Sequence, residues 1–272
     1  MSEIIIEPNR SIKHRWRDLW EYRELFYFLA WRDLLVRYKQ TLIGIAWSLL
    51  RPLLTMLVFT VIFGKIAKLP SGDVPYALLV FAAMLPWQFF SNTLSESGLS
   101  LTANANMITK IYFPRIILPT TSMIVSLIDF LISFAMLCGL MVWYGFFPDA
   151  KILVLPVLLL LAALTSLGAG YWISALNVTY RDFRYVVPFL IQFGLYVSPV
   201  GFSSEVVPEK WRLLYSLNPM VGVIDGFRWA LLGKHTDLYL LGFILSVCIT
   251  LTLFISGAHF FYKTERTFAD II

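Results

Sequence analysis

Charge is what this sequence has least of. Asp, Glu, Lys and Arg together make up 14% of 272 residues, where a soluble domain carries about 25%. The deficit falls in long apolar blocks, which excludes an ordinary soluble fold and leaves no length for a separate soluble domain. Cysteine is nearly absent: Cys138 and Cys248 each sit inside an apolar run, are expected as buried thiols, and have neither disulfide nor metal spacing. The three histidines, His14, His235 and His259, lack metal-ligand spacing to one another or to the cysteines. No GxxxxGK[ST] phosphate loop occurs, so the chain cannot hydrolyse ATP as a P-loop protein does. There is no GxSxG elbow, and no Asp-x-Asp pair to hold a metal-bound sugar nucleotide. The first forty residues contain no apolar core followed by a small-residue cleavage site, so the first span is expected to act as the targeting signal.

What is present is hydrocarbon. Hydrophobic residues reach 58% and aromatics 16%. A span needs about 20 mostly apolar residues, and six segments qualify: 42–63, 76–94, 116–143, 152–176, 186–202 and 238–262. Before them, 17–40 reads as an interfacial helix with Trp20, Tyr22, Trp31 and Tyr38 at headgroup level and its cations snorkelling. Between the fifth and sixth spans, 203–237 is broken by Pro208, Asn218-Pro219, Gly222, Gly226 and Gly233. Its apolar stretches are too short to cross, and two short re-entrant helices in the outer leaflet are expected. The fold class is an all-α polytopic membrane protein with one transmembrane domain. Residues 1–41 form its cytoplasmic start, 42–202 spans one to five, 203–237 the outer segment, 238–262 span six and 263–272 a cytoplasmic tail. Lys and Arg number fourteen on the expected inner side against seven on the outer, so both termini are placed in the cytoplasm by the positive-inside rule. That bias, rather than a nucleic-acid footprint, accounts for the net charge of +5.

Few residues stand out for chemistry. Asp129 lies deep in the third span, where a carboxylate is expensive; it is either functional, as in a proton relay, or hydrogen-bonded at a helix contact near Ser126 and Ser133. Arg51, beside Pro52, has a gating and a structural reading. Phe189, Gln192, Phe193 and Tyr196 recur at helical spacing on the fifth span. Rings mixed with an amide and a phenol suit a passage for sugars, and helix packing is the other reading.

Several segments together resemble a known family. They are YRELFYFLAWRDLLVRYKQTLIG at 22–44, FPRIILP at 113–119, NVTYRDFRYVVPFLIQFGLYVSPV at 177–200, LNPM at 217–220 followed by FRWALLG, and the tail TERTFADII. In this order, and so placed between six spans, they resemble the membrane subunit of type-two ABC exporters that move polysaccharides such as O-antigen, teichoic acid and capsule chains. The resemblance implies a homodimer in the cytoplasmic membrane, bound to two cytosolic ATPase subunits. The chain itself would hold no cofactor, ATP and Mg being bound by the partner. A glycan, lipid-linked or free, would thread between the two copies, along Phe59, Phe63, Phe189, Gln192, Phe193 and Tyr196 of spans one and five. The interfacial helix and the loop between spans two and three would meet the ATPase, with Asn104, Asn106, Met107, Ile108, Lys110 and Tyr112 as coupling residues. Three other classes are weighed beside it. A permease for small hydrophobic drugs or lipids would favour a smoother pathway. An ion-driven carrier would want several intramembrane charges and an internal repeat. A membrane glycosyltransferase would need an outward acid, for which only Asp225 qualifies, and Arg228 offers it an ordinary helix pair.

Overall fold

A computed structural model describes residues 20–39, 44–70, 72–180, 182–233 and 238–268, with only the backbone described for 44–48. The expected start at 1–19, the junction at 40–43, Lys234 to Asp237 and the last four residues lie outside them. Among the described residues the regular elements are all helical. Helix α1 is Arg23–Lys39 and α2 is Gly44–Phe59, which widens into a π-helix at Thr60–Ile66. Helix α3 is Tyr76–Ala103, α4 the single turn Ala105–Ile108, α5 Ile117–Trp143 and α6 Leu155–Thr179. Then come α7 (Phe183–Val197), α8 (Glu209–Tyr215), α9 (Pro219–Leu232) and α10 (Leu240–Thr264).

Among the described residues five helical stretches are long and apolar enough to cross a membrane: Leu49–Ile66, Tyr76–Ala103, Ile117–Trp143, Ala150–Thr179 and Leu240–Thr267. The segment expected as a fifth span at 186–202 is helical only through α7. Its 15 residues reach roughly 22 Å at 1.5 Å per residue, short of the roughly 30 Å hydrocarbon layer. The second span is longer than its hydropathy suggests, because SESGLSLTA continues α3 to Ala103 instead of opening a loop at Leu94.

Helix α3 is the central post. From Leu78 to Leu85 no residue exceeds 2% exposure, the signature of a helix apolar on every side and enclosed by others. It packs on α5, α6 and α9. Two cores result. One surrounds the first half of α3 with Leu158, Phe130, Phe227 and Leu231; the other gathers Leu29 of α1 with Leu101, Ile117, Tyr171, Phe261 and Phe268 at the opposite end. Residues 265–268 are therefore docked: Phe268 stacks edge-on to Phe261 at 5.4 Å, and Arg115 donates its backbone N–H to Glu265 Oε1 at 2.8 Å. Helices α6 and α10 touch through glycine, as lipid-embedded helices do where backbones must approach closely. A Cβ on Gly257 would lie 2.3 Å from the Gly168 carbonyl oxygen.

Membrane lipid offers no hydrogen bonds, so polar side chains are paired between helices. Thr165 and Thr250 hydroxyls meet at 2.9 Å, Trp172 Nε1 donates to Ser256 at 3.2 Å, and Thr120 pairs with Tyr171 at 2.9 Å. The two cysteines behave otherwise than expected. Both are exposed, on outward faces of α5 and α10, because an apolar helix presents small apolar side chains to lipid as readily as to protein.

Within 203–237 the described part, 203–233, contains two short α-helices, α8 and α9. Helix α9 is enclosed by protein rather than laid on a surface, with Ile224, Phe227, Ala230 and Leu231 fully buried. Asn218 caps it by accepting from Met220 N at 3.1 Å, with Pro219 in the first turn, where no N–H is needed. Arg228 does not form the simple helix pair with Asp225 that the sequence suggests. It is 2% exposed and donates to three carbonyls: Leu79 at 3.2 Å, Phe202 at 2.8 Å and Val200 at 3.1 Å. Burial pulls its guanidinium down to about 10, so it stays charged at neutral pH. Burial also holds the Asp225 carboxyl up, at about 6, against the pull of Arg228. Arg228 thus ties α9 to α3 and to the turn that ends α7.

Replacing Arg228 by Met should leave those carbonyls unpaired. Hydrogen bonds to charged groups contribute about 1.5–3 kcal/mol each; allowing for incomplete additivity, a loss of about 3 kcal/mol lowers the unfolding midpoint by roughly 6–12 °C. Arg228→Lys, with one compact ammonium instead of a fork, should recover only part of that loss in a thermal melt of the detergent-solubilised protein.

Candidate functional site

Helix α7 has two unlike faces. Val187 points inward at 5% exposure. On the other side Tyr185, Phe189, Gln192, Phe193 and Tyr196 follow at spacings of three and four, and all are exposed. Tyr196 keeps 60% of its surface open and Phe189 65%. Phe189 and Phe193 stack at 6.2 Å with their planes 14° apart, so they form one apolar platform flanked by the Gln192 amide and the Tyr196 phenol. Rings of this kind take the C–H face of a sugar, while the amide and phenol exchange hydrogen bonds with hydroxyls.

Phe59 and Phe63 do not share that platform. Phe59 is 7% exposed and the two rings pack together at 5.3 Å. They lie against the turn after α7: a Cβ on Gly201 would meet the Phe59 ring at 2.8 Å and the Phe63 ring at 2.9 Å. Tyr76 fixes the same turn by donating its hydroxyl to the Gly201 carbonyl. The exposed face of α2 is aliphatic instead, with Leu54, Leu57, Val58, Val61 and Ile62. Arg51 is also exposed there, while Pro52 beside it is buried within the helix.

Asp129 is not the isolated acid that the sequence suggests, nor is it satisfied by Ser126, whose hydroxyl donates to the Ser122 carbonyl at 3.1 Å. Arg37 of α1 reaches it, Nη2 to Oδ2, at 2.5 Å. The same guanidinium bonds Glu96 of α3, and Tyr38 donates its hydroxyl to the other Asp129 oxygen. Arg32, one turn earlier, bonds Asp33 at 2.8 Å and the Asn104 side chain at 3.0 Å. Helix α1 is thus pinned to α3 and α5 by its cations rather than merely resting at an interface. Asp129 lies roughly 21 Å of helix from Trp143 at 1.5 Å per residue, which sets the cluster in the half of the span nearer α1. Tyr38 and Tyr22 turn toward protein, whereas Trp20, Tyr27, Phe28 and Trp31 remain exposed.

The six coupling candidates separate in the same way. Asn106, Lys110 and Tyr112 are exposed around the α4 turn. Ile108 is 4% exposed and belongs to the core beside Phe113, with Met107 packed against it. Asn104 is engaged: its amide donates to the Ser100 carbonyl at 2.8 Å and its oxygen accepts from Arg32.

The chain thus combines a charge-pinned helix α1, a polar turn between two long apolar helices and an exposed aromatic face on α7. The ABC-2 type transporter family matches the chain over residues 24–232, and the chain belongs to that family. It is 30% identical over 221 residues to the O-antigen export system permease protein RfbA of Myxococcus xanthus, covering 80% of this chain and 84% of that one. It is 27% identical over 256 residues to the protein of that name from Klebsiella pneumoniae, covering 92% and 95%. The polysialic acid transport protein KpsM of Escherichia coli is 24% identical over 240 residues, covering 86% and 91%.

Removing Arg37 as Arg37→Met should strand Glu96 and Asp129 as two unpaired carboxylates. Breaking a buried pair costs about 3–5 kcal/mol; because Arg37 keeps about a third of its side chain open, about 2 kcal/mol is expected here. Adding Glu96→Gln and Asp129→Asn should restore most of the lost unfolding midpoint, a positive coupling measurable in a mutant cycle.

Proposed function

We propose that the chain is the membrane-spanning subunit of an ATP-driven transporter that exports a polysaccharide or lipid-linked glycan across the cytoplasmic membrane. The observation that carries this reading is the exposed platform of Phe189, Gln192, Phe193 and Tyr196 on α7. Aromatic rings left open in an otherwise apolar bundle supply weak, sequence-tolerant contacts for a moving polymer. The amide and phenol compensate sugar hydroxyls for lost water, whose loss otherwise costs about 1–3 kcal/mol per unpaired group. A passage lined by charges would hold one sugar too firmly, and a purely aliphatic one would leave hydroxyls bare. The names of the O-antigen and polysialic acid relatives support the same substrate class.

Two copies enclose the passage, each contributing its α7 face and the aliphatic face of α2. Phe59 and Phe63 act one step back, as the packing that holds the Gly201 turn. Energy comes from two copies of a separate cytosolic ATPase carrying ATP and Mg, since the sequence holds no phosphate loop. The ATPase docks on the exposed part of the α4 turn, at Asn106, Lys110 and Tyr112. In this reading α7 and the turn after it complete a sixth crossing, both termini are cytoplasmic, and residues 203–237 remain on the outer side. Helix α9 then behaves as a re-entrant element whose backbone is buried in protein rather than lipid.

Phe193→Ala combined with Tyr196→Ala should lower polymer appearing at the cell surface by roughly tenfold, equivalent to losing about 1.4 kcal/mol of favourable contact. The amount of folded protein in the membrane should be unchanged, because both side chains are exposed within the protomer. Export at the wild-type level would sink the proposed pathway. The topology is tested with single cysteines in a chain lacking Cys138 and Cys248. A thiol at Lys210 should react with an impermeant reagent in intact cells, and one at Lys110 only after the membrane is opened. Labelling of Lys210→Cys from inside would exclude six crossings.

A further inference from the structure

Helix α2, its π-helical continuation and α7 supply the passage walls in the reading above, and their charges are all of one sign. Within Gly44–Ile66 and Phe183–Val197 the charged residues are Arg51, Lys65 and Arg184, with no acid among them. All three are exposed. Arg51, Val58 and Lys65 recur every seven positions, close to two helical turns, so the open aliphatic face carries a cation toward each end. Among the described residues none of the three cations makes an ion pair. Asp182 precedes α7 but stands two positions from Arg184, a spacing that does not bring side chains face to face.

An unpaired cation on a membrane helix is costly. Snorkelling to headgroups relieves it where the face looks to lipid, but in the proposed dimer this face looks to a second copy. Twofold symmetry brings the same cations to the facing wall at the same depth, and like charges cannot relieve one another. The positive-inside bias accounts for Arg51 and Arg184 at the α1 end, the cytoplasmic end in that reading. It does not account for Lys65 at the other end. What fits both ends is a ligand that carries negative charge along its length. Arg51 and Lys65 are roughly 20 Å of helix apart at 1.5 Å per residue. A small anion meets one level at a time, whereas a polymer with an acid in each repeat meets both.

We propose that the passage selects an acidic glycan, with a carboxylate or phosphate in its repeat, through Arg51 and Arg184 at the entry and Lys65 at the exit. The proposal rests on the glycan-export reading above and adds the charge class of the polymer. The guanidinium fork takes both oxygens of a carboxylate or phosphate, which suits capture. The lysine ammonium is a strongly hydrated point charge, which suits release. Rings of Arg or Lys favour anions in pores by the same means. Between the two levels the walls are uncharged, aliphatic on α2 and aromatic on α7, so charge decides which polymer enters and the rings carry it. A phosphate of a lipid carrier offers the same chemistry at one end of the polymer only.

The test uses cells that carry the full-length chain and its ATPase. Surface polymer is isolated, any lipid end is cut off with mild acid, and the glycan is applied to an anion-exchange column at neutral pH. It should be retained. Arg51→Gln combined with Lys65→Gln should then lower surface polymer several-fold, at an unchanged amount of chain in the membrane. Arg51→Lys, which keeps the charge, should export nearly as the wild type does. Lys263→Gln, which removes an exposed cation of α10 away from the passage walls, should have no effect. Should the double variant not accumulate, Lys65→Gln alone is read in its place. A glycan that runs through the column uncharged overturns the proposal, even where export depends on Arg51, because the anion is then the carrier's phosphate. A retained glycan exported equally well without the two cations overturns it too. In both cases the glycan-export reading stands, whereas absence of surface polymer from wild-type cells removes that reading itself.

Discussion

Inside a bilayer a polar group released from its helix has no water to turn to, and one end of this protein is arranged around one answer to that constraint. Where α7 ends, the chain must turn back, and the carbonyls of Val200 and Phe202 leave the helical ladder. The Arg228 guanidinium takes both, together with the Leu79 carbonyl of α3. A planar fork with five N–H groups suits that task where a point charge would not. The same turn is held from other sides by Tyr76 on Gly201 and by Tyr215 on Val197 at 2.8 Å. Because the turn is fixed, α9 can fold back into protein and α7 can present its aromatic side away from the core.

The opposite end solves a different problem with the same means. Helix α1 carries Arg32 and Arg37 on a face that also packs Leu29 into the core. On an amphipathic helix lying at a lipid surface these cations would point to water. Here the acids they need come from the protein: Asp129 and Glu96 for Arg37, with the Asn104 oxygen for Arg32. Since Asn104 opens the exposed α4 turn, the entry helix and the turn are mechanically joined.

Between these ends the bundle is tight, with glycine contacts between α6 and α10 and an all-round apolar α3. Against that background the rings of α7 stay open. They cost nothing facing lipid, and in the proposed function they form the surface that meets a hydroxyl-rich polymer between two copies. A surface that binds every sugar weakly is what translocation of a repeating chain requires.

Much of this was legible in the sequence, for physical reasons that also mark where legibility ended. Crossing a hydrocarbon layer needs a minimum apolar length, so run lengths marked six spans; five of them coincide with long apolar helices among the described residues, whereas 186–202 is helical only through the fifteen residues of α7. Helical periodicity placed Phe189, Gln192, Phe193 and Tyr196 on one face. Azimuth was not legible, because lipid and protein interior are equally apolar: nothing in hydropathy separates Phe59, which is core, from Phe193, which is open, or warns that Cys138 and Cys248 face outward. Pairing over long separations was not legible either. Arg37 and Asp129, Arg228 and the Val200 turn, and Asn177 and Gly98 meet only because helices of fixed length pack side by side. The sequence by itself determined which segments enter the membrane; the tertiary structure decided which face of each looks inward, since only packing distinguishes one apolar neighbour from another.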